Sequence, residues 1–336
     1  MRLTGYKKVL FIIGVIIIVL VLVIVSWCVM TKPDASHRMT YGASFTKTYA
    51  EELGLDWKEV YNAILDDLEI KSLRLMAYWN EIEPAPGIFN FSDLDWQIRE
   101  AQKRDVEVVL TVGYKLPRWP ECYFPAWTNG MESEEWHLHL LAMIEEIVER
   151  YQNYDNIIIW QIENEPLVGW FGVCPEPNKE LLMQEIELVR SMDSRPIMIT
   201  DSGELSTWVR TAKLGDIFGT TMYRTVWNKY FGYFHHWEML PCFYRLRAAL
   251  NGRSNDEIIV SELQAEPWFP GGFSKISIKE QRKSMDAEKL RQNIDYAKKT
   301  GFSRAYLWGV EWWYWLREQG DDSVWRTGRE LINSTN

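Results

Sequence analysis

From residue 37 onward the chain alternates two hydrophobic patterns. Short runs rich in β-branched residues and apolar on both faces read as strands: MTYGASF (39–45), KSLRLMAY (71–78), VEVVLTVGY (106–114), NIIIWQI (156–162), PIMIT (196–200), DIFGTTMY (216–223), EIIVSEL (257–263) and RAYLWGV (304–310). Between them WKEVYNAILDDL, LDWQIREAQKR, EEWHLHLLAMIEEIVERY, NKELLMQEIELVRSM and DAEKLRQNIDYAKKT carry apolar residues at i, i+3, i+4 and i+7, the helical period. Strands buried on both faces and joined through helices form a parallel sheet, because each crossover returns the chain to the same end. Eight alternations of strand and helix fit a (β/α)8 TIM barrel, which takes about 250 residues. An open doubly wound sheet is the competitor, but no strand here is followed by G-x-G-x-x-G or G-x-x-x-x-G-K-[ST].

The N-terminus follows a different rule. Residues 9–30 form an uncharged apolar run behind Arg2, Lys7 and Lys8, long enough to cross a hydrocarbon core of about 30 Å. A cleaved signal is the rival reading, but the run exceeds a usual signal core and no A-x-A-like site follows it. The expected fold class is therefore an α/β TIM barrel preceded by one transmembrane helix. Its parts are a cytoplasmic basic segment (1–8), a signal anchor (9–30), a short linker (31–37), a catalytic barrel (38–332) and a tail (333–336). The barrel is expected outside the cytoplasm at the cell membrane, or secreted if the first segment is removed.

Composition narrows the partners. A net charge of −10 with no basic block beyond the N-terminal flank gives no electrostatic footprint for nucleic acid. Eighteen Trp and 16 Tyr supply flat aromatic surface instead. Export would put Cys122, Cys174 and Cys242 in an oxidising or neutral compartment, with Cys28 in the membrane. Cys122 and Cys174 either pair, leaving Cys242 free, or all three stay thiols. The five His include no pair spaced for metal on one helix face, and no cofactor is expected.

Barrel active sites form where strands end and loops begin. Those positions here are Arg74 on strand two, Tyr114 and Lys115 after strand three, Glu163, Asn164 and Glu165 after strand four, and Asp201 after strand five. Tyr223 and Arg224 end strand six, Glu262 and Gln264 strand seven, Trp308 and Glu311 strand eight. Glu165 and Glu262 are 262 − 165 = 97 positions apart, against about 93 for three units of about 31 residues. Two glutamates rooted across a barrel mouth suit glycosidic bond cleavage, in which one protonates the leaving oxygen and the other attacks the anomeric carbon or activates water.

The strings WQIENEP on strand four, IIVSE on strand seven and YWNEIEPAPGIFNFSDLDWQI after strand two resemble the clan A glycoside hydrolases over the whole barrel. That resemblance implies Glu165 as acid/base and Glu262 as nucleophile of a retaining double displacement, with Asn164 on the sugar 2-hydroxyl. It also implies Arg74 and Tyr223 holding Glu262, and Trp308 flooring the sugar. Trp79, Trp119 and Glu311 are further substrate-binding candidates, with Trp127, Trp227, Trp268, Trp312 and Trp313 near the same loops; Glu163 either lines the barrel interior or pairs with Arg74, and Glu266 either binds hydroxyls or braces the rim. Within the clan, QIENE is similar to family 35, EPAPGIFNFSDLD with PRWP to families 35 and 42, and Asn-Glu-Pro to family 5. Strand six lacks the His-x-Tyr of family 5, and strand three does not end in His. The expected function is a membrane-anchored retaining β-glycosidase acting on a galactoside, glucoside or mannoside in an oligosaccharide, polysaccharide or glycoconjugate. Glycosyl transfer to a sugar acceptor and an inactive carbohydrate-binding barrel are the alternatives.

Overall fold

The structure is a computed structural model that describes residues 5–34, 37–271 and 276–334. The basic residue Arg2 and linker residues 35 and 36 lie outside them. A long helix, α1 (Gly5–Met30), leads into a closed barrel of eight parallel strands. Around the barrel these run β1 (Thr40–Ser44), β2 (Ser72–Met76), β3 (Glu107–Val112), β4 (Ile157–Ile162), β5 (Ile197–Asp201), β6 (Ile217–Met222), β9 (Ile258–Gln264) and β10 (Arg304–Trp308), which closes on β1. All eight expected strands form, each within two residues of the ends that the hydrophobic runs predict.

The connections are less uniform than the sequence pattern implies. Helices α2 (Lys47–Glu52), α3 (Trp57–Asp66), α4 (Trp79–Ile82), α5 (Ser92–Gln102), α6 (Ser133–Tyr151) and α7 (Lys179–Met192) fill the first four crossovers. The β5–β6 connection holds turns and no helix, because residues 202–216 are barely long enough for a crossover. Trp208 in this connection is buried against Phe218 of β6 and Tyr244. After β6 the chain makes an antiparallel hairpin that the strand pattern does not foretell, β7 (Thr225–Asn228) and β8 (Gly232–His235), then α8 (Pro241–Leu250). Helices α9 (Ile278–Gln281) and α10 (Ala287–Lys298) precede β10, and α11 (Val310–Glu318) and α12 (Ser323–Asn333) follow it. Side chains of Asp56, Asn178 and Asp286 accept from backbone N–H groups at the starts of α3, α7 and α10, as helix N-termini require.

The barrel interior changes character along its axis. Val109, Ile159, Met198, Ile259 and Tyr306 pack as an apolar plug near the strand starts. Two residues further along the same strands stand Thr111, Gln161, Thr200 and Trp308, and Arg74 is two beyond Ser72 on β2, since alternate residues share a face. The site therefore rests on a polar layer above a dry base.

Of the two cysteine readings, the pairing of Cys122 with Cys174 holds, while the free Cys242 needs correction. Cys122 bonds Cys174, so those two are not thiols, and Cys242 is not free but bonded to Cys28. Cys28, expected in the membrane, thus lies at the barrel end of α1, against the first turn of α8.

Candidate active site

The polar layer converges on Arg74, fully buried on β2. Its guanidinium donates to Gln161 Oε1 at 2.7 Å, Asn164 Oδ1 at 2.8 Å and Glu262 Oε1 at 3.1 Å, with Ser261 O at 3.3 Å. A guanidinium only donates, so both amides must present oxygen to it. Asn164 is thereby left with its NH2 for a ligand, and Gln161 spends its own on Glu163 O. The other oxygen of Glu262 accepts from Tyr223 Oη at 2.7 Å. Burial and the Glu262 charge push the Tyr223 phenol well up, so it stays a donor. Tyr223 is itself fixed by Glu204, which accepts from its backbone N–H, from Tyr244 Oη and from Thr221 Oγ1.

The end of β4 is built otherwise. Glu163 and Glu165 both have left-handed backbone, φ 58° and 46°, a conformation that costs energy in a non-glycine residue unless the surroundings fix it. Fixing comes from below and from the side. Glu163 turns its carboxylate down to the N–H groups of Tyr114 and Lys115, at 2.9 and 2.5 Å. Gly113 makes room, since a Cβ there would stand 2.3 Å from Glu163 Oε1. Lys115 Nζ reaches across to Glu165 O and Val168 O, and Thr200 Oγ1 accepts from Glu165 N–H. Glu163 thus braces the β3–β4 rim through backbone N–H groups and does not pair with Arg74.

Electrostatics separates the two outer glutamates. Burial, then the charge of Glu262, then Glu121 and Asp201 push the Glu165 carboxyl well above the usual carboxylate range, against the pull of Lys115. Beneath it, burial raises Glu163 to about 8. Burial and the charge of Glu163 drive Glu185, on α7, well above its ordinary value. Glu185 meets only Glu163, which hydrogen-bonds it, a contact between two carboxyls that requires a proton on one of them.

Glu165, Glu262, Asn164, Tyr223, Trp308 and Trp119 line one cleft of about 360 Å³ at the carboxyl ends of the strands, within the range of small-ligand sites. Trp119 stands on the rim, 67% exposed and edge-on to Phe171. Trp308 is only 5% exposed, and the Arg118 guanidinium lies 4.2 Å from its ring centroid, so one face is already covered. Two expected binders lie elsewhere. Trp79 is fully buried, donating to Glu83 and packing on Phe124 and Trp127, because α4 turns it into the core. Glu311 is also fully buried; it accepts from Thr46 N–H and Oγ1 and stands 3.8 Å from Arg118. Trp312 and Trp313 are core, whereas Trp268 lines the cleft.

Sequence reasoning missed Arg118, Glu121 and Glu204, all of which line the cleft. Arg118 pairs with Glu266 through both terminal nitrogens. Glu121 is raised to about 8, mainly by burial, and its Oε2 has no hydrogen-bond partner. The signal for Arg118 and Glu121 was a set of charged residues in the Pro-rich loop KLPRWPEC, whereas Glu204 lies in the turns after β5 with no such signal. Among the described residues, no cluster of three or more His, Cys, Asp or Glu has metal-binding geometry.

Comparison with known proteins agrees with the barrel. The family model described as cellulase, glycosyl hydrolase family 5, matches residues 40–303. Beta-galactosidase BgaA from Clostridium cellulovorans is 27% identical over 173 residues, 45% of this chain; the match takes in 26% of that enzyme's length. Among solved structures, GH5_18 from Bifidobacterium longum subsp. longum superposes with a TM-score of 0.61 at 13% identity, covering 89% of this chain and 79% of that one. A beta-galactosidase from the haloarchaeon Halorubrum lacusprofundi gives 0.55 at 15% identity, covering 80% and 52%. At these identities the two structures speak for the fold.

Proposed function

Because the chain belongs to glycosyl hydrolase family 5, within clan A, we propose that it is a membrane-anchored retaining β-glycosidase working by double displacement. The observation that carries this reading is the contrast between two glutamates on one cleft. Glu262 accepts from Arg74 and Tyr223, as suits a nucleophilic carboxylate. Glu165 is crowded by burial and by acids, as suits a group that must hold a proton at neutral pH.

In the first step the Glu262 carboxylate attacks the anomeric carbon while Glu165 gives its proton to the departing oxygen. The Asn164 NH2 donates to the sugar 2-hydroxyl, a contact that strengthens as oxocarbenium character grows. Esterification removes the Glu262 charge, and the Glu165 carboxyl becomes more acidic. Now a carboxylate, Glu165 takes a proton from water, whose oxygen attacks the anomeric carbon and releases Glu262. Galactoside, glucoside and mannoside all remain compatible with this set of side chains.

Anchoring is supported by α1, whose apolar side chains are exposed along its length. Its bond to the barrel through Cys28 and Cys242 supports retention over removal as a signal sequence. Glu262→Ala should lower turnover of an aryl β-glycoside by about 10⁴-fold or more, and azide should restore it with formation of the α-glycosyl azide. Wild-type turnover in that variant would overturn the assignment.

A further inference from the structure

The attachment of α1 sets its direction. Every barrel strand is parallel, so α8, which follows β6 and its hairpin, begins at the carboxyl end of the barrel, where the cleft opens, and runs away from it. Its first turn is tied to the cleft, since Tyr244 donates to Glu204. Cys28 bonds to Cys242 in that same turn. Three residues later Thr31 meets Arg245, which also donates to Cys28 O. Pro33 then packs on Gly301, and the His37 ring meets Phe302 O just ahead of β10, at the opposite end of the barrel. The chain thus descends the barrel wall as it leaves α1. Because Cys28 and Thr31 meet Cys242 and Arg245 in the same order, α1 continued in line points past the start of α8, on the side where the cleft opens.

Along the chain the hairpin leads from the end of β6 to α8, where α1 is attached. Gln264 pins its base by accepting from Arg224 N–H and Thr225 N–H and donating to Thr225 O. Val226 and His236 line the cleft. At the tip, Asn228 Oδ1 accepts from the N–H groups of Tyr230 and Phe231 and so holds two rings that are 78% and 81% exposed. Trp237 and Leu240, between His236 and the Cys242 attachment, are 77% and 51% exposed. Lys229 sits beside Tyr230, its ammonium 5.0 Å from the ring. Exposed aromatics with a neighbouring lysine are the composition of a membrane interface, where rings enter the headgroup layer and the cation meets phosphate.

We propose that this hairpin docks on the leaflet from which α1 emerges, and that the substrate is a β-glycoside of a lipid held in that bilayer. The sugar enters the cleft from the membrane side, along the wall formed by Val226 and His236. This deepens the anchored-glycosidase reading and rests on it.

The test uses the full chain in phosphatidylcholine vesicles carrying octadecyl β-galactoside, β-glucoside or β-mannoside, beside the matching soluble nitrophenyl β-glycosides. The wild type should cleave one lipid glycoside. The combined variant Tyr230→Ser, Phe231→Ser, Trp237→Ser should cleave it at least about 10-fold more slowly with unchanged kcat/KM on the nitrophenyl substrate. Cleavage of nitrophenyl but not lipid glycosides by the wild type, or equal lipid cleavage by the variant, overturns the proposal and leaves the glycosidase reading standing. Cleavage of neither class by the wild type overturns both. Should the variant lose both activities, a fluorophore on Phe231→Cys decides: quenching by nitroxide-labelled lipid supports docking, and no quenching overturns it.

Discussion

The ends of β9 and β4 bring one glutamate each to the same cleft by opposite means. Glu262 is surrounded by donors, a guanidinium and a phenol. Glu165 stands on left-handed backbone above a buried acid pair, with Glu121 and Asp201 as further acidic neighbours. Identical side chains thus acquire opposite tasks, because donors favour the charged carboxylate while burial and like charge favour the neutral acid. The residue type supplies the chemistry and the neighbours assign it.

Arg74→Met should break this contrast most severely. It strips Glu262 of its one ion-pair partner among the described residues and should leave activity about as low as Glu262→Ala. It should also destabilise the fold by about 3–5 kcal/mol, the usual cost of breaking a buried pair, measurable by denaturant unfolding. Glu165→Gln removes the acid while keeping its shape. Turnover of alkyl glycosides should fall about 10²–10⁴-fold, and the alkaline decline in kcat/KM, which in the wild type marks loss of the Glu165 proton, should vanish. Tyr223→Phe removes one hydrogen bond to a charge, about 1.5–3 kcal/mol, and should slow turnover roughly 10–100-fold without unfolding the barrel.

The smallest effect is a stability one. Glu163 and Glu185 hold protons in the folded state at a pH where the unfolded chain has released them. The Glu163 part of that contribution is present in full below about pH 4.5 and is lost as pH rises through about 8; the Glu185 part is lost in the same direction. Glu185→Gln should therefore flatten the stability decline across that window by on the order of 1 kcal/mol, read from urea unfolding at several pH values.

Much of this contrast is legible in the sequence. Eight two-faced apolar runs predict the barrel, and the barrel predicts that Arg74, Glu165, Tyr223 and Glu262 share one mouth, because strand ends are fixed by the ladder. Loop residues escape that logic. Trp79 and Glu311 sit near strand ends in number, yet α4 and the first turn of α11 rotate them into the interior. Arg118 and Glu121 reach the cleft only because the loop after β3 folds back through backbone of positive φ, 86° and 73°, which no hydrophobic period encodes. The Cys28–Cys242 bond joins residues 214 positions apart, and nothing local announces it. The family departures at strands three and six proved compatible with family 5 membership, since the match runs across both.

Arg74 also constrains how this site can be inherited. One guanidinium serves Gln161 and Asn164 from β4 and Glu262 from β9, so a change at any of the three alters what the other two must offer. Such substitutions are expected to be non-additive. A lineage diverging toward a new sugar would find single steps closed here and open at the rim, where Trp119 and Phe171 answer to no shared partner of this kind. Variation in specificity should therefore accumulate from the mouth inward.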